Sequence, residues 1–430
     1  MAIKILGMSD STMSITGFAT VTKELFRRLN KHPDFEVQTI AQGHLGKDMA
    51  SVKFTDGDDI THPVLSAGTK PYATEFIKQH IAKHKPDILY CLWDTFMLKQ
   101  AGYDNIDLAP AKFVMYWPSD GSFLPSTCET ILAKSFAPVS MSRHGLRQVK
   151  WLFDNKYIGY DIASKAVHIP HAVNETEYYP LADDLKIEAR RKYNIPQNAF
   201  VVGSVARNQG RKMMDRTIKA FSLFAKDKPE ARLFLHSDPK DQAAPSNLVN
   251  LIHRWKVQDK VIWSGMKFYK GMSLAEMNEI YNIMDIHFLT TSGEGFGIPT
   301  IEAMACGTPS VITAYTTSPE LIMENGQVGE MIKLVGCPEI DYTKVDFDNY
   351  DEAYAPTHEL APNSICGTWD VERGICDVHD AVRKLNKLYN DRDLLNTYSK
   401  LGRAKAVKYY SWDKVVFPMW VRFLKSVYLK

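Results

Sequence analysis

No stretch of this 430-residue chain approaches the roughly 18 consecutive apolar residues of a membrane-spanning helix. Nor does it carry a large excess of either charge: 52 lysines and arginines face 50 acids, for a formal net charge of +2. That balance argues against a strongly basic nucleic-acid surface, although it leaves room for a local basic groove. Cysteine is scarce, with six residues scattered at 91, 128, 306, 337, 366 and 376. Such usage in a large chain fits a reducing cytosol, so a cytoplasmic location is expected. Cys337, Cys366, Cys376 and His379 lack the tight Cys-x2-Cys knuckle of a structural zinc site, and packed thiols are the plainer reading. The start, Met-Ala-Ile-Lys-Ile-Leu-Gly, has too short an apolar run for a signal peptide and reads as a first strand.

What is present is an ordinary globular composition, 45% apolar and 24% charged, in a chain long enough for two domains. Short apolar runs alternate with segments of helical period. In the first half the strands are Lys4–Gly7, Glu36–Ala41, Asp87–Leu92, Lys112–Tyr116 and Ser135–Ser140, with helices over Ala19–Leu29 and Tyr72–His84. A polar connector covers 179–198. A second series follows, with strands Phe200–Ser204, Ala231–His236, Val261–Ser264, Ile286–Leu289 and Ser310–Thr313 and helices between them. Alternation of this kind indicates two parallel sheets, each covered by helices on both faces. The expected division is 1–178, the connector, 199–408 with a surface insertion at 337–373, and a last helix over 409–430.

The densest chemistry lies in Glu294-Gly-Phe-Gly-Ile-Pro-Thr-Ile-Glu302, followed by Ala303-Met-Ala-Cys-Gly307-Thr-Pro309. Gly295 and Gly297 let the main chain approach a ligand closely. Pro299 suits the first turn of a helix, and Gly307 with Pro309 suits its end. The N–H groups of Gly295, Phe296, Gly297 and Ile298 would then lie at a helix N-terminus, which favours anions. Carboxylates at Glu294 and Glu302 can accept hydrogen bonds from vicinal hydroxyls. A second cluster, Val201-Val-Gly203-Ser-Val-Ala-Arg207-Asn-Gln-Gly210-Arg211-Lys212, places cations after an apolar strand. Arg207 offers a fork and Lys212 a point charge for a diphosphate; a solvated basic loop is the alternative.

The set Arg207…Lys212 with Glu294…Glu302 and Glu-Ala-Met-Ala-Cys-Gly-Thr-Pro resembles the family 4 retaining glycosyltransferases of the GT-B fold. His168-Ile-Pro-His-Ala-Val-Asn, Thr317-Ser-Pro-Glu-Leu and Tyr410-Ser-Trp-Asp extend the likeness over most of the chain. The resemblance implies two doubly wound Rossmann-like domains facing each other across a cleft, with the last helix crossing back to the first domain. It implies a nucleotide-diphosphate sugar as donor substrate, of UDP, GDP or ADP type, and no metal or tightly bound cofactor. By it, Arg207 and Lys212 neutralise the diphosphate and Glu302 binds ribose. Glu294 faces the transferred sugar, and Gly295, Phe296, Gly297 and Ile298 give main-chain donors.

In the first half, Ser9-Asp10-Ser11…Thr16-Gly17-Phe18 resembles the family's glycine loop, with Gly17 its remaining glycine. The histidine that many members carry at a strand end is missing. Asp94 and Asp120 stand at strand C-terminal ends, where open α/β sheets bind ligands. Asp120 is the expected contact to donor sugar or acceptor, against the alternative of a turn residue before Gly121. Trp93, Trp117 and Phe123 form a candidate acceptor platform, with buried aromatics as the alternative. The expected acceptor is a saccharide or glycolipid. Two alternatives stand beside it. One is a modified, hydroxylated DNA base, because some motifs are similar to an archaeal and phage subgroup. The other is a nucleotide-sugar-binding protein without catalysis.

Overall fold

The computed structural model describes residues 2–430 except 43, 45, 54–59, 69–70, 124, 242–243, 245, 268–270 and 348–370. Most of the expected insertion, and Cys366 with it, lies outside the described residues. The chain forms two compact units. One comprises Met1–Ser119, Phe123–His171 and Asp413–Lys430; the other comprises Asp120–Ser122 and Ala172–Trp412.

The first unit is built on a seven-stranded sheet. Its strands are β1 Ile3–Asp10, β2 Phe35–Gln42, β3 Val64–Ser66, β4 Ile88–Cys91, β5 Lys112–Trp117, β6 Ala137–Ser140 and β7 Val167–His168. They lie in the order β3-β2-β1-β4-β5-β6-β7. All neighbours are parallel; Ile5, for example, pairs with Val37 on one side and Ile88 on the other. Helix α1, Gly17–Lys31, starts where the Thr16 hydroxyl caps the Ala19 N–H. Thr16 also donates to Asp10 at 2.6 Å, so the turn carrying Gly17 is tied to the end of β1. Gly17 itself is exposed, as the first residue of α1.

The chain's last segment belongs to this unit. Its closing helix, Phe417–Leu429, brings in Trp420, which is fully buried. The indole meets Tyr90 at 5.5 Å and Tyr116 at 4.9 Å, both edge-on. Aromatic pairs of that geometry add about 0.5–1.5 kcal/mol each beyond area burial.

Two readings of this half are corrected. The helix expected over Tyr72–His84 runs only over Ile77–His84. Tyr72 and Ala73 take positive φ values of 60° and 56°, which a helix excludes. Tertiary contacts outweigh the local pattern there: Tyr72 packs edge-on to Trp93, and its carbonyl accepts the Tyr103 hydroxyl. Trp93 and Trp117 are buried, at 1% and 0% exposure, so they are core and not a platform.

The second unit carries a six-stranded parallel sheet. Its strands are β8 Phe200–Val205, β9 Ala231–His236, β10 Val261–Trp263, β11 Ile286–Leu289, β12 Ser310–Thr313 and β13 Gly329–Ile332. The order is β10-β9-β8-β11-β12-β13. From β8 the chain winds outward on one side through β9 and β10. It then returns to β11 and winds outward on the other. The winding therefore reverses between β8 and β11, which is where open α/β sheets bind ligands, at the strand C-terminal ends. Both strands are wholly buried and mainly apolar, as expected for strands covered on two faces.

Candidate functional site

Both charged clusters emerge at that reversal point. After β8 the chain makes one tight turn, Gly210–Lys212, and Met213 follows with a φ of +48°. After β11 it runs through Thr290–Gly297 into helix α2, Ile298–Ala305. Gly297 takes a φ of +96° just before α2, a conformation that favours glycine, and Pro299 lies in the first turn. The end of α2 is also as the residues predict. The Gly307 N–H donates to Met304 O at 3.0 Å and the Thr308 N–H to Ala303 O at 2.8 Å, with Gly307 left-handed at +73°. This pair of bonds is the Schellman arrangement.

Hydroxyl side chains fix the turn before α2. Thr316 accepts the Glu294 N–H at 3.0 Å, and Thr317 donates to the carbonyls of Glu294 and Gly295. Ser292 donates through both its N–H and its hydroxyl to Arg211 O. Such local bonds hold an irregular loop without a regular ladder.

Lys212 and Glu294 meet here as a buried pair. They are 9% and 5% exposed, and Lys212 Nζ lies 2.5 Å from Glu294 Oε1. Arg211 joins them, with Nη1 at 3.1 Å from Glu294 Oε2 and a bond to Gly293 O at 3.1 Å. Arg211 Nε in turn lies 3.3 Å from Asp120 Oδ2. Arg373 Nη1 lies 3.0 Å from Asp120 Oδ1 and also donates to the Asp120 carbonyl. The result is a chain of alternating sign, Arg373–Asp120–Arg211–Glu294–Lys212. Three cations face two carboxylates, leaving an excess of positive charge.

Burial pushes the Glu294 carboxyl up, but Lys212 and Arg211 outweigh it and hold the pKa down to about 2. Burial, reinforced by Arg211, pulls Lys212 down to about 8. Both groups are charged at neutral pH. Glu302 differs. It sits in the second turn of α2, and burial of its carboxyl raises it to about 7. Tyr281 donates to it at 2.6 Å and Tyr178 donates as well, both favouring the ionised form.

The remaining predicted residues stand as follows. Arg207 Nε donates to Asp241 at 2.9 Å, in the loop after β9. The Phe296 ring is buried against Tyr410, leaving its main chain as the part that can serve a ligand. Gly295, Gly297 and Ile298 lie at the start of α2, where the first N–H groups of a helix have no partner within it. Gly17 lies in the other unit. Arg211, Arg373, Asp241 and Tyr281 belong to the constellation but were not singled out from the sequence. Arg211 was visible beside Lys212 as a third cation. The others had no local signal, because their partners lie far away along the chain.

Gly293 explains how closely the parts are pressed together. A Cβ there would stand 1.9 Å from Asp120 O and 3.3 Å from Arg373 Nη1. Gly293→Ala is therefore expected to drive the turn away from Asp120. It should lower stability by about 1–3 kcal/mol, as overfilling a close contact does. Thermal unfolding checks this; an unchanged Tm would contradict the packing described. Among the described residues, no group of three or more His, Cys, Asp or Glu could hold a metal ion. No helix there is long and apolar enough to cross a membrane.

Residues 186–333 match the family described as glycosyl transferases group 1. The match takes in Arg207, Arg211, Lys212, Glu294 and Glu302. Mannosylfructose-phosphate synthase of Agrobacterium fabrum is 29% identical over 163 residues, covering 36% of this chain and 34% of that protein. D-inositol 3-phosphate glycosyltransferase of Stackebrandtia nassauensis is 29% identical over 163 residues, covering 36% and 35%. The alignments thus span about a third of each curated relative's length. Sucrose-phosphate synthase from Thermosynechococcus elongatus has a TM-score of 0.71 at 14% identity, with 100% of both chains covered. Anabaena HepE, solved in complex with UDP and glucose, has a TM-score of 0.67 at 16% identity, covering 99% of this chain and 100% of that one. Two parallel-sheet Rossmann-like units and these structural neighbours make the fold GT-B, and residues 186–333 within it are similar to the glycosyl transferases group 1 family.

Proposed function

We propose that the chain is a retaining glycosyltransferase that moves a sugar from a nucleotide-diphosphate sugar to an acceptor hydroxyl. The observation that carries this reading is the cationic excess around Lys212, Arg211 and Glu294 beside the N-terminus of α2, at the point where the sheet winding reverses. In this reading Lys212, Arg207 and the α2 N–H groups stabilise the departing diphosphate without a metal. Glu302 accepts hydrogen bonds from ribose, and Glu294 and Asp120 face the transferred sugar. The bond from the anomeric carbon to the diphosphate breaks while a bond to the acceptor oxygen forms on the same face. The acceptor proton passes to the departing diphosphate oxygen.

The relatives' names support a small polyhydroxylated acceptor over a nucleobase: two name the sugar phosphates they make, mannosylfructose phosphate and sucrose phosphate, and one names inositol 3-phosphate as what it glycosylates. The anomeric proton coupling of the product, measured by NMR from a donor of known configuration, tests retention. The donor's own anomer is expected in the product, and the opposite anomer would overturn the retaining mechanism.

A further inference from the structure

We propose that Arg373 is a positioning residue of this site, holding Asp120 so that Asp120 in turn orients Arg211. The inference rests on the reading of the site as a donor site, but its geometry stands apart from it. Arg373 is 8% exposed, and a single nitrogen, Nη1, serves both the carboxylate and the main-chain carbonyl of Asp120. The opposite oxygen of the same carboxylate receives Arg211. Asp120 is thus a clamp between two guanidinium groups, and Arg211 passes the constraint to Glu294 and to Gly293 O.

The segment that carries Arg373 is anchored independently of its side chain. Tyr315 donates to Glu372 O at 3.0 Å, the Gly374 N–H donates to Ser292 O at 3.0 Å, and Arg216 donates to Cys376 O at 3.0 Å. Removing the guanidinium therefore leaves the main chain in place and releases only Asp120. Without that hold, the 3.3 Å contact from Arg211 is what the chain of charges still offers the Asp120 carboxylate. The Thr290–Gly297 turn then loses its fixed relation to Asp120. A lysine at 373 would keep the charge, but its flexible stem would not fix one nitrogen between the Asp120 carboxylate and carbonyl as the planar guanidinium does.

The test uses Arg373→Gln, Arg373→Lys and Asp120→Asn in the full chain. Hydrogen exchange is read first, without any ligand. Arg373→Gln should speed exchange in peptides spanning 120–123 and 291–297 by about tenfold and leave β11 as protected as before. Unaltered exchange in both peptides would overturn the proposal, whatever the protein's activity. Kinetics are read second. Arg373→Gln should lower kcat by about tenfold with donor KM nearly unchanged. Arg373→Lys should fall between it and the parent. The double variant with Asp120→Asn should be no worse than Asp120→Asn alone. Effects that multiply would mean that Arg373 acts independently of Asp120 and would overturn the proposal. Failure of the unaltered protein to transfer any sugar would instead count against the proposed function, and the exchange measurement would still decide the role of Arg373.

Discussion

Lys212→Ala is expected to reduce sugar transfer by about a thousandfold, the scale seen when a fixed charge aimed at a developing anion is removed. Two effects combine. The diphosphate loses a cation held in a site largely shielded from water, where each charge counts for more than in bulk solvent. Glu294 also loses its closest partner while remaining buried. Breaking a buried ion pair from one side costs about 3–5 kcal/mol. The lower end applies here, because Arg211 still reaches Glu294 Oε2. Lys212→Ala should therefore also melt several degrees below the parent. The combination of lost transfer and a large loss of stability separates this residue from Arg207, whose guanidinium is a third exposed where it pairs with Asp241 and predicts loss of turnover with a smaller change in melting. Steady-state kinetics and thermal unfolding, measured on both variants, check this.

Glu302 should give donor binding a pH dependence centred near 7. In the proposed role the carboxyl, raised to about 7, must ionise to accept hydrogen bonds from both ribose hydroxyls. Affinity for a nucleotide sugar is expected to fall as the pH drops from 8 to 6, and Glu302→Gln should abolish that dependence. Glu302→Ala should weaken binding by about a hundredfold, since two hydrogen bonds to a charged group are lost. The sign for stability is opposite to that of an ordinary paired acid. Between pH 4.5 and about 7 the folded protein keeps this proton while the unfolded chain has released it. The group's contribution to stability therefore declines as pH rises across that window and is level above it. Calorimetric titration at a series of pH values tests the binding claim; a profile unchanged in Glu302→Gln would refute it.

The local parts of this site could be read from the sequence because they obey local rules. Gly297, Pro299 and Gly307 bracket α2 through constraints on φ and on missing donors. The apolar runs before Arg207 and Thr290 are strands because both faces are buried. The parallel sheets follow on the same grounds. The partnership of charges was not. Arg211, not Arg207, joins Glu294, because a single tight turn at Gly210–Lys212 decides which cation points inward. Arg373 and Asp120 are brought together by tertiary packing that no short-range pattern encodes. The start of the helix expected at Tyr72 failed for a related reason: contacts with Trp93 and Tyr103 hold the backbone in a conformation the helical period cannot reveal.

The central claim is that Lys212, Arg211, Glu294 and the N-terminus of α2 form a donor site for a nucleotide-diphosphate sugar. Release of nucleoside diphosphate from UDP-, GDP- and ADP-sugars, with a panel of phosphorylated and free polyol acceptors, tests it most directly. The parent protein is expected to show acceptor-dependent release from at least one donor, and Lys212→Ala almost none. Release from no donor with any acceptor, or equal release by Lys212→Ala, would contradict it.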